Sequence, residues 1–424
     1  MAIVSTIRSI VIAHPRVAQI IRVLVLLVAL GAAAELILGM AVGEKGADLA
    51  ARMDVAASEP ASDSAFTLCV GGPEFMATLA RDLATAEESV CVQTLAFEDD
   101  PAGRALARAL VDCPAPSKTL IIDSYARYVI SDRLITPGAR LFDRDFYAEV
   151  QGTRSLIENL IAAGIDVHFA RPLSGRPQTL AVRDHKKIVT IDDRIAYVGG
   201  INFSAHNFLW HDLMVRMADP EVAGWLARDV QSTLAGREQT ASASFDGVDL
   251  HIGNGTPAGD LLAPVAQLIR GARRSLYLEC PYVTEPFHRL LAEARARGVA
   301  VTVVTSERSN RLFMRRSIIH GCGCGDVDLR FTRGPMTHVK ALLIDGETLV
   351  MGSANFDFLS FSLQPEVVAV IRDAGCVKQF RQRVEAPALA QSTLHEGEGQ
   401  GLCEHVSHRA LHLARPVLGR VARR

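Results

Sequence analysis

The chain has 424 residues, too many for one small domain, so it must hold two domains or one large core. Hydrophobic residues make up 49% and charged residues 22%, with a mean hydropathy of +0.18, which excludes a disordered polymer and points to membrane contact. The 45 basic and 47 acidic residues leave a net charge of −2, which excludes a globally basic surface built to coat nucleic acid. In chain order, residues 1–22 carry Arg8, Arg16 and Arg22 and no acid. Val23 to Gly43 is almost continuously apolar, broken only by Glu35, and approaches the roughly 20 residues that span a bilayer. This predicts one transmembrane helix or signal anchor over 23–43. Ala32-Ala33-Ala34 offers the alternative of a cleaved signal and a secreted product. Glu44, Lys45, Asp48 and Arg52 follow, so the positive-inside rule places residues 1–22 in the cytoplasm and the bulk of the chain outside a bacterial-type cell membrane. Residues 44–65, rich in Ala, Ser and Asp between Ala50 and Asp63, read as a linker.

Beyond the linker the pattern repeats. Pro73 to Glu88 has helical apolar spacing and leads to the strand-like Ser89-Val-Cys-Val-Gln-Thr-Leu, and Leu261 to Arg274 leads to Ser275-Leu-Tyr-Leu-Glu. A second helix follows in each half, Ala102 to Val111 and Pro286 to Arg297. Buried-strand runs come next, Leu120-Ile-Ile-Asp and Val299-Ala-Val-Thr-Val-Val, then short strands at Val167 and Val327. The pattern predicts two βαβ-type halves, 66–245 and 246–385, and a basic tail, 386–424. An insertion around Ser124 to Val150 lengthens the first half. With Tyr125, Arg127, Tyr128 and Phe146 it either lines a substrate mouth or is a surface excursion.

Each half closes on the same polar pattern. The first reads His185-Lys-Lys187-Ile-Val-Thr-Ile-Asp192, then Gly199-Gly200-Ile-Asn202; the second reads His338-Val-Lys340-Ala-Leu-Leu-Ile-Asp345, then Gly352-Ser353-Ala-Asn355. His and Lys two apart on a strand project from one face, while the Asp falls on the other face or at the strand end. Asp192-Asp193 and Asp345-Gly346 are turn signals, so each hairpin should return its Asn beside the His and Lys. The eight cysteines are too sparse for a disulfide scaffold. His320-Gly-Cys322-Gly-Cys324 lacks the second ligand pair of a structural zinc site, so no metal is assigned.

The doubled H-x-K-x(4)-D followed by G-[GS]-x-N resembles the phospholipase D superfamily over roughly Phe66 to Glu385. Gly200, where many members carry Ser, is similar to motifs of bacterial cardiolipin synthases. The resemblance implies an α/β fold, a pseudo-twofold duplicated α/β/α sandwich with one active site between the halves. It implies a catalytic set of His185, Lys187, Asp192, His338, Lys340 and Asp345, with Asn202, Asn355 and Ser353 on the substrate. His185 is assigned as nucleophile and His338 as acid/base, an order that pseudo-symmetry could reverse. Asp192 and Asp345, although part of the motif, read as residues that fix the hairpins.

The chemistry also follows from the residues. Two lysines and two asparagine amides can surround the nonbridging oxygens of a phosphodiester without a metal or other cofactor. One imidazole then attacks phosphorus while the other protonates the leaving alkoxide and later deprotonates the incoming hydroxyl. Each imidazole needs an acceptor on its second nitrogen; Asp212 and Glu366, just past the Gly-rich turns, are the candidates. The apolar N-terminal segment, the Gly-Gly-Ile-Asn turn and the aromatic Phe208 and Trp210 favour a membrane phospholipid as substrate, with the bilayer as partner. A metal-independent nuclease is the alternative, using Arg308, Arg311, Arg315 and Arg316 on nucleic-acid phosphates. Whether water or an alcohol resolves the phosphohistidine, giving a phospholipase D or a cardiolipin synthase, is left open by the motifs. The tail residues Arg409, Arg415, Arg420, Arg423 and Arg424, interleaved with Leu411, Leu413, Val417, Leu418 and Val421, read either as a second contact with an anionic leaflet or as a solvated tail.

Overall fold

A computed structural model describes residues 49–57, 64–135, 143–172, 182–256, 261–323 and 327–396. The apolar run Val23 to Gly43 and the basic tail beyond residue 396 lie outside the described residues. Among the described residues no helix is long and apolar enough to cross a membrane. The first half contains β1 (Phe66–Val70), β2 (Ser89–Thr94), β3 (Ser117–Asp123), the short hairpin β4 (Val129–Ile130) and β5 (Arg133–Leu134), then β6 (Asp166–Ala170), β7 (Ile188–Ile191), β8 (Ile195–Gly199) and β9 (Leu213–Met217). The second contains β10 (Ala241–Phe245), β11 (Val248–Asn254), β12 (Ser275–Glu279), β13 (Ala300–Ser306), β14 (Asp328–Thr332), β15 (Ala341–Ile344), β16 (Thr348–Gly352), β17 (Pro365–Ile371) and β18 (Ser392–Leu394).

The two large sheets are built alike. The first runs β1-β9-β8-β7-β2-β3-β6, and the second contains β11-β17-β16-β15-β12-β13-β14 in the same order, extended by β10 and β18. In each, three strands are parallel and the remainder antiparallel: β2, β3 and β6 pair in parallel in one half, β12, β13 and β14 in the other. The parallel members are joined by helices, which the 3.6-residue apolar spacing had indicated. The helix Gly72–Ala84 buries Phe75, Met76, Leu79 and Leu83. The helix Pro101–Asp112 starts where the Asp100 carboxylate accepts the N–H groups of Ala102 and Gly103 and Pro101 supplies a helical φ without needing a donor.

Strands β7 and β15 are buried at every position because both faces of each sheet are covered. One apolar cluster crosses between the halves. It joins Val198, Val215 and Met217 to Leu250, Leu349, Val367 and Ala369, with Val222 and Leu226 of the helix Pro220–Leu234 on its flank. The stretch read as a linker contains a helix, Leu49–Ala57; Ala-rich sequence favours helix, and Leu49 and Met53, one turn apart, pack on the first-half core. The chain also continues past residue 385 as a helix, Ala386–Gln391, and as β18, which pairs with β14 at the sheet edge.

Asp192 and Asp345 sit at the tips of the β7–β8 and β15–β16 hairpins with φ of 52° and 55°, a region Asp tolerates better than most residues. Asp192 accepts the backbone N–H groups of Glu87, Glu88 and Ser89 at 2.8, 2.7 and 2.9 Å. Asp345 does the same for Arg273, Arg274 and Ser275 at 3.0, 2.7 and 3.0 Å. Each Asp therefore ties its hairpin to the start of the neighbouring strand. Burial alone would raise the Asp192 carboxyl, but these three N–H groups and Arg194 outweigh it and bring it to about 2.

Asp192→Ala should lower unfolding free energy by about 2–4 kcal/mol, because it leaves three donors unpaired at once. The contribution is complete above the ordinary carboxylate value of 3.8 and is lost as pH falls through about 2. Urea titrations should therefore show the gap between wild type and variant closing on acidification; a gap that is absent at neutral pH would reject the bracing role.

Candidate active site

The two His-x-Lys segments are not strand residues themselves. His185 and Lys187 lie on extended chain just before β7, and His338 and Lys340 just before β15. Each segment is held by equivalent positions of its own sheet. Asp184 N donates to the Asp123 carboxylate at the end of β3 (2.6 Å), and Thr337 N donates to the Ser306 hydroxyl at the end of β13. The Gln93 amide of β2 donates to Asp184 (2.6 Å), while the Thr337 hydroxyl donates to Glu279 of β12 (2.6 Å). Lys186, alternating with its neighbours, turns the other way and bonds Asp229 and Thr233 of the helix Pro220–Leu234 at 2.6 and 2.8 Å.

The halves meet along these segments. His185 N donates to Pro365 O (3.0 Å) and, symmetrically, His338 N donates to His211 O (2.7 Å). A third bond, His211 N to Met336 O (2.9 Å), has no counterpart because Pro365 carries no N–H. The next residue along in each case is an acid, and docking delivers it to the opposite histidine. Asp212, from the first half, accepts from His338 Nδ1 at 2.7 Å. Glu366, from the second, places Oε1 2.9 Å from His185 Nδ1, at ion-pair distance but without hydrogen-bond alignment. Asp212 and Glu366 were legible as acidic partners, but their exchange between halves was not.

Lys187 Nζ donates to His185 O at 2.7 Å, and Lys340 Nζ donates to His338 O and lies 3.5 Å from Asp212. Both ammonium groups, both imidazoles and both carboxylates are buried. Burial pushes Lys187 down to about 7, with Glu366 opposing and Lys340 assisting. Burial, reinforced by the Lys340 charge and opposed by Asp212, brings His338 to about 4. His185 is lowered too, chiefly by burial, against Glu366. Burial would raise Asp212, but Lys340 and His338 hold it below the usual carboxylate range. The resting site thus has neutral imidazoles whose Nδ1 atoms face carboxylates, leaving Nε2 for chemistry, and lysines able to accept an anion.

Asn202 and Asn355 are buried at the ends of the returning hairpins. Asn202 bonds Thr94 and Asn207 within its own half, at 3.4 and 3.2 Å. Asn355 Oδ1 is buried without a hydrogen-bond partner. Ser353, expected on the substrate, is fully buried and spends its hydroxyl on Glu366 while accepting from Val367 N at 3.0 Å, so it stands behind the carboxylate. Gly200 is its counterpart. A Cβ there would lie 2.4 Å from Asp212 Oδ1, because the shorter aspartate brings its carboxylate into the space a serine side chain would fill.

Of the two aromatics that follow the Gly-Gly-Ile-Asn turn, Phe208 is a core residue packed near Gly72 and Phe203. Trp210 reaches the site, its ring 5.0 Å from that of His338. Tyr282, just past β12, has no sequence signal and stands 6.2 Å from the same imidazole.

A family model described as "Cardiolipin synthase, PLD-like domain" matches residues 79–234 and 265–386, that is, both halves with both His-x-Lys segments. The chain belongs to this family of the phospholipase D superfamily. It is 25% identical to cardiolipin synthase B of Salmonella typhi over 355 residues, covering 75% of this chain and 79% of that one. It is 25% identical to cardiolipin synthase A of Yersinia pseudotuberculosis over 267 residues, 56% of this chain and 55% of that one. The fold is shared with phosphatidylserine synthase of Haemophilus influenzae (TM-score 0.62, 14% identity, 88% of this chain and 98% of that one). It is also shared with polyphosphate kinase of Porphyromonas gingivalis (TM-score 0.52, 12% identity, 83% and 53%).

If Lys187 must be charged to receive a phosphodiester, kcat/KM should fall as pH rises through about 7, the value for the free site. A bound anion raises the ammonium group, so the same limb in kcat should appear at higher pH. A kcat/KM profile flat from about pH 6 to 9 would reject this role for Lys187.

Proposed function

We propose that the chain is a phospholipid-modifying phosphatidyltransferase of the cardiolipin synthase type, drawing its phosphatidyl group from phosphatidylglycerol through a phosphohistidine. The observation that carries this reading is the crossed arrangement of two complete His-Lys sets, each imidazole facing the acid of the other half, in a chain whose family match spans both. The aromatic wall of Trp210 and Tyr282 beside His338 and the apolar run at Val23 to Gly43 support a lipid substrate. On this reading the chain is single-pass, with its catalytic part outside the cytoplasm.

In the first step His185 Nε2 attacks phosphorus and the bond to the headgroup oxygen breaks. His338 gives its Nε2 proton to that oxygen, so glycerol leaves as an alcohol. His338 has been lowered in the resting site by burial and Lys340; the incoming phosphodiester offsets the lysines and favours the protonated ring. Lys187 and Lys340 carry the charge on the nonbridging oxygens. In the second step His338 takes the proton of an incoming hydroxyl, the new P–O bond forms and the P–N bond to His185 breaks. An alcohol of a second phosphatidylglycerol yields cardiolipin, and water yields phosphatidic acid.

Incubation of the full chain with phosphatidylglycerol, followed by lipid mass spectrometry, should show cardiolipin with a smaller yield of phosphatidic acid. His185→Ala and His338→Ala should each lower turnover by about 10³-fold or more while the protein stays folded. Near-normal activity in either variant would sink the dyad. In a separate assay, EDTA should leave turnover unchanged, because lysine and histidine supply the charge and the nucleophile. Loss in EDTA that one divalent ion restores would overturn that account. Consumption of single-stranded DNA but not of phosphatidylglycerol would favour the nuclease instead.

A further inference from the structure

The hairpin β4–β5, inside the insertion of the first half, projects its tip across the site to the second half. Ser131 and Asp132 occupy the tip with φ of 48° and 57°. The tip is fixed from its own half: Ser131 N donates to Glu98 (2.9 Å) and its hydroxyl donates to Glu149 (2.6 Å). Asp132 then divides its two oxygens between residues of the loop that follows β13. Asn310 Nδ2 donates to one at 2.8 Å, and Arg311 Nη2 to the other at 3.3 Å. Tyr282 links this contact to the chemistry, since its hydroxyl donates to Asn310 Oδ1 while its ring stands against His338. The Asp132–Arg311 pair is therefore connected through Asn310 and Tyr282 to the imidazole assigned to the alcohol.

Arg311 meets Asp132 through one carboxylate oxygen and also donates Nη1 to Asn310 O at 3.4 Å, whereas a guanidinium is shaped to take two oxygens of one phosphate. Both members of the pair remain partly open to solvent, at 18% and 27% of side-chain surface. An acceptor such as phosphatidylglycerol carries its own phosphate, one glycerol unit from the hydroxyl that attacks. We propose that Arg311 is the specificity-determining residue for the acceptor, receiving the phosphate borne by the incoming alcohol in exchange for Asp132. In the resting protein Asp132 stands in for that phosphate. Burial would raise the Asp132 carboxyl, but Arg311, His206 and Asn310 hold it below its ordinary range, so it remains an anion that competes for Arg311. Arg308 and Arg316 need no part in this, and Arg315 lies over the Phe331 ring at 5.0 Å.

This inference rests on the phosphatidyl-transfer reading and deepens it. The test uses the full chain in detergent micelles with phosphatidylglycerol as donor and three competing acceptors: phosphatidylglycerol itself, soluble glycerol 3-phosphate, and ethanol, which has no phosphate. Product ratios are read by mass spectrometry, so formation of the phosphohistidine cancels. Arg311→Gln should lower the ratio of cardiolipin to phosphatidylethanol by about tenfold or more, with Arg311→Lys between. Asp132→Asn, nearly isosteric, should raise that ratio about threefold by removing the competing charge. The product from glycerol 3-phosphate should follow the same signs. Ratios that fall in both the Arg311→Gln and Asp132→Asn variants, or move in neither, would make the pair a mere brace and overturn the inference. Signs seen with the lipid acceptor alone would overturn the assignment to phosphate. Phosphatidylethanol without cardiolipin from wild type would overturn the inference while leaving the phosphohistidine reading intact. No product of any kind from wild type would overturn both.

Discussion

A buried imidazole needs an acceptor on its second ring nitrogen, and in this protein each catalytic-motif histidine faces a carboxylate supplied by the other half. His338 leans on Asp212 and His185 on Glu366, so the geometry of each ring depends on how the two sheets dock. The docking itself is set by backbone: the amide of each histidine donates to the residue just before the borrowed acid. Apolar packing across the interface, from Val198 and Val215 to Leu349 and Val367, keeps that register. Neither half could hold a correctly oriented histidine alone. The same closeness explains the charge state, because two lysines buried against two acids and two imidazoles cannot all carry full charge without an anion to share it.

Much of this was legible from residue order. The doubled His-x-Lys and the strands beside it follow from period-two spacing, and the turn chemistry of Asp192 and Asp345 anticipated hairpin tips. That both aspartates would lash those tips to Ser89 and Ser275 could not be read, since those bonds join residues 103 and 70 positions apart in sequence. The crossing of Asp212 and Glu366 was hidden for the same reason: the sequence places each acid near its own histidine, and only docking reverses the pairing. The helix at Leu49–Ala57 was missed because Ala-rich, polar-flanked sequence carries no strong apolar face, and Leu49 and Met53 gain meaning only against the core they meet. The contact of Asp132 with Arg311 lies in a loop pair with no periodicity at all.

The two halves also show how one geometric requirement is met by different chemistry. The loop carrying His185 hangs from a carboxylate, Asp123, which burial raises to about 7 despite the opposing Arg183 charge. The loop carrying His338 hangs from the neutral Ser306. Gln93 with Asp184 and Glu279 with Thr337 exchange donor and acceptor sides across the same pair of positions. Each arrangement holds the segment that carries its imidazole, although Gln93 Oε1 in the first half is buried without a hydrogen-bond partner.

The residues behind the two orienting acids give this asymmetry a history. Glycine at 200 goes with aspartate at 212, and serine at 353 with glutamate at 366; a serine opposite Asp212 would collide with its carboxylate. A glutamate set behind a glycine would in turn lack the hydroxyl that steadies it. Swapping one residue of a pair for its counterpart in the other half therefore disturbs the carboxylate unless the second position changes with it. Each pair lies within one half, so the halves are two self-consistent solutions to one requirement, and a graft from one to the other keeps its orienting acid only if both members travel together.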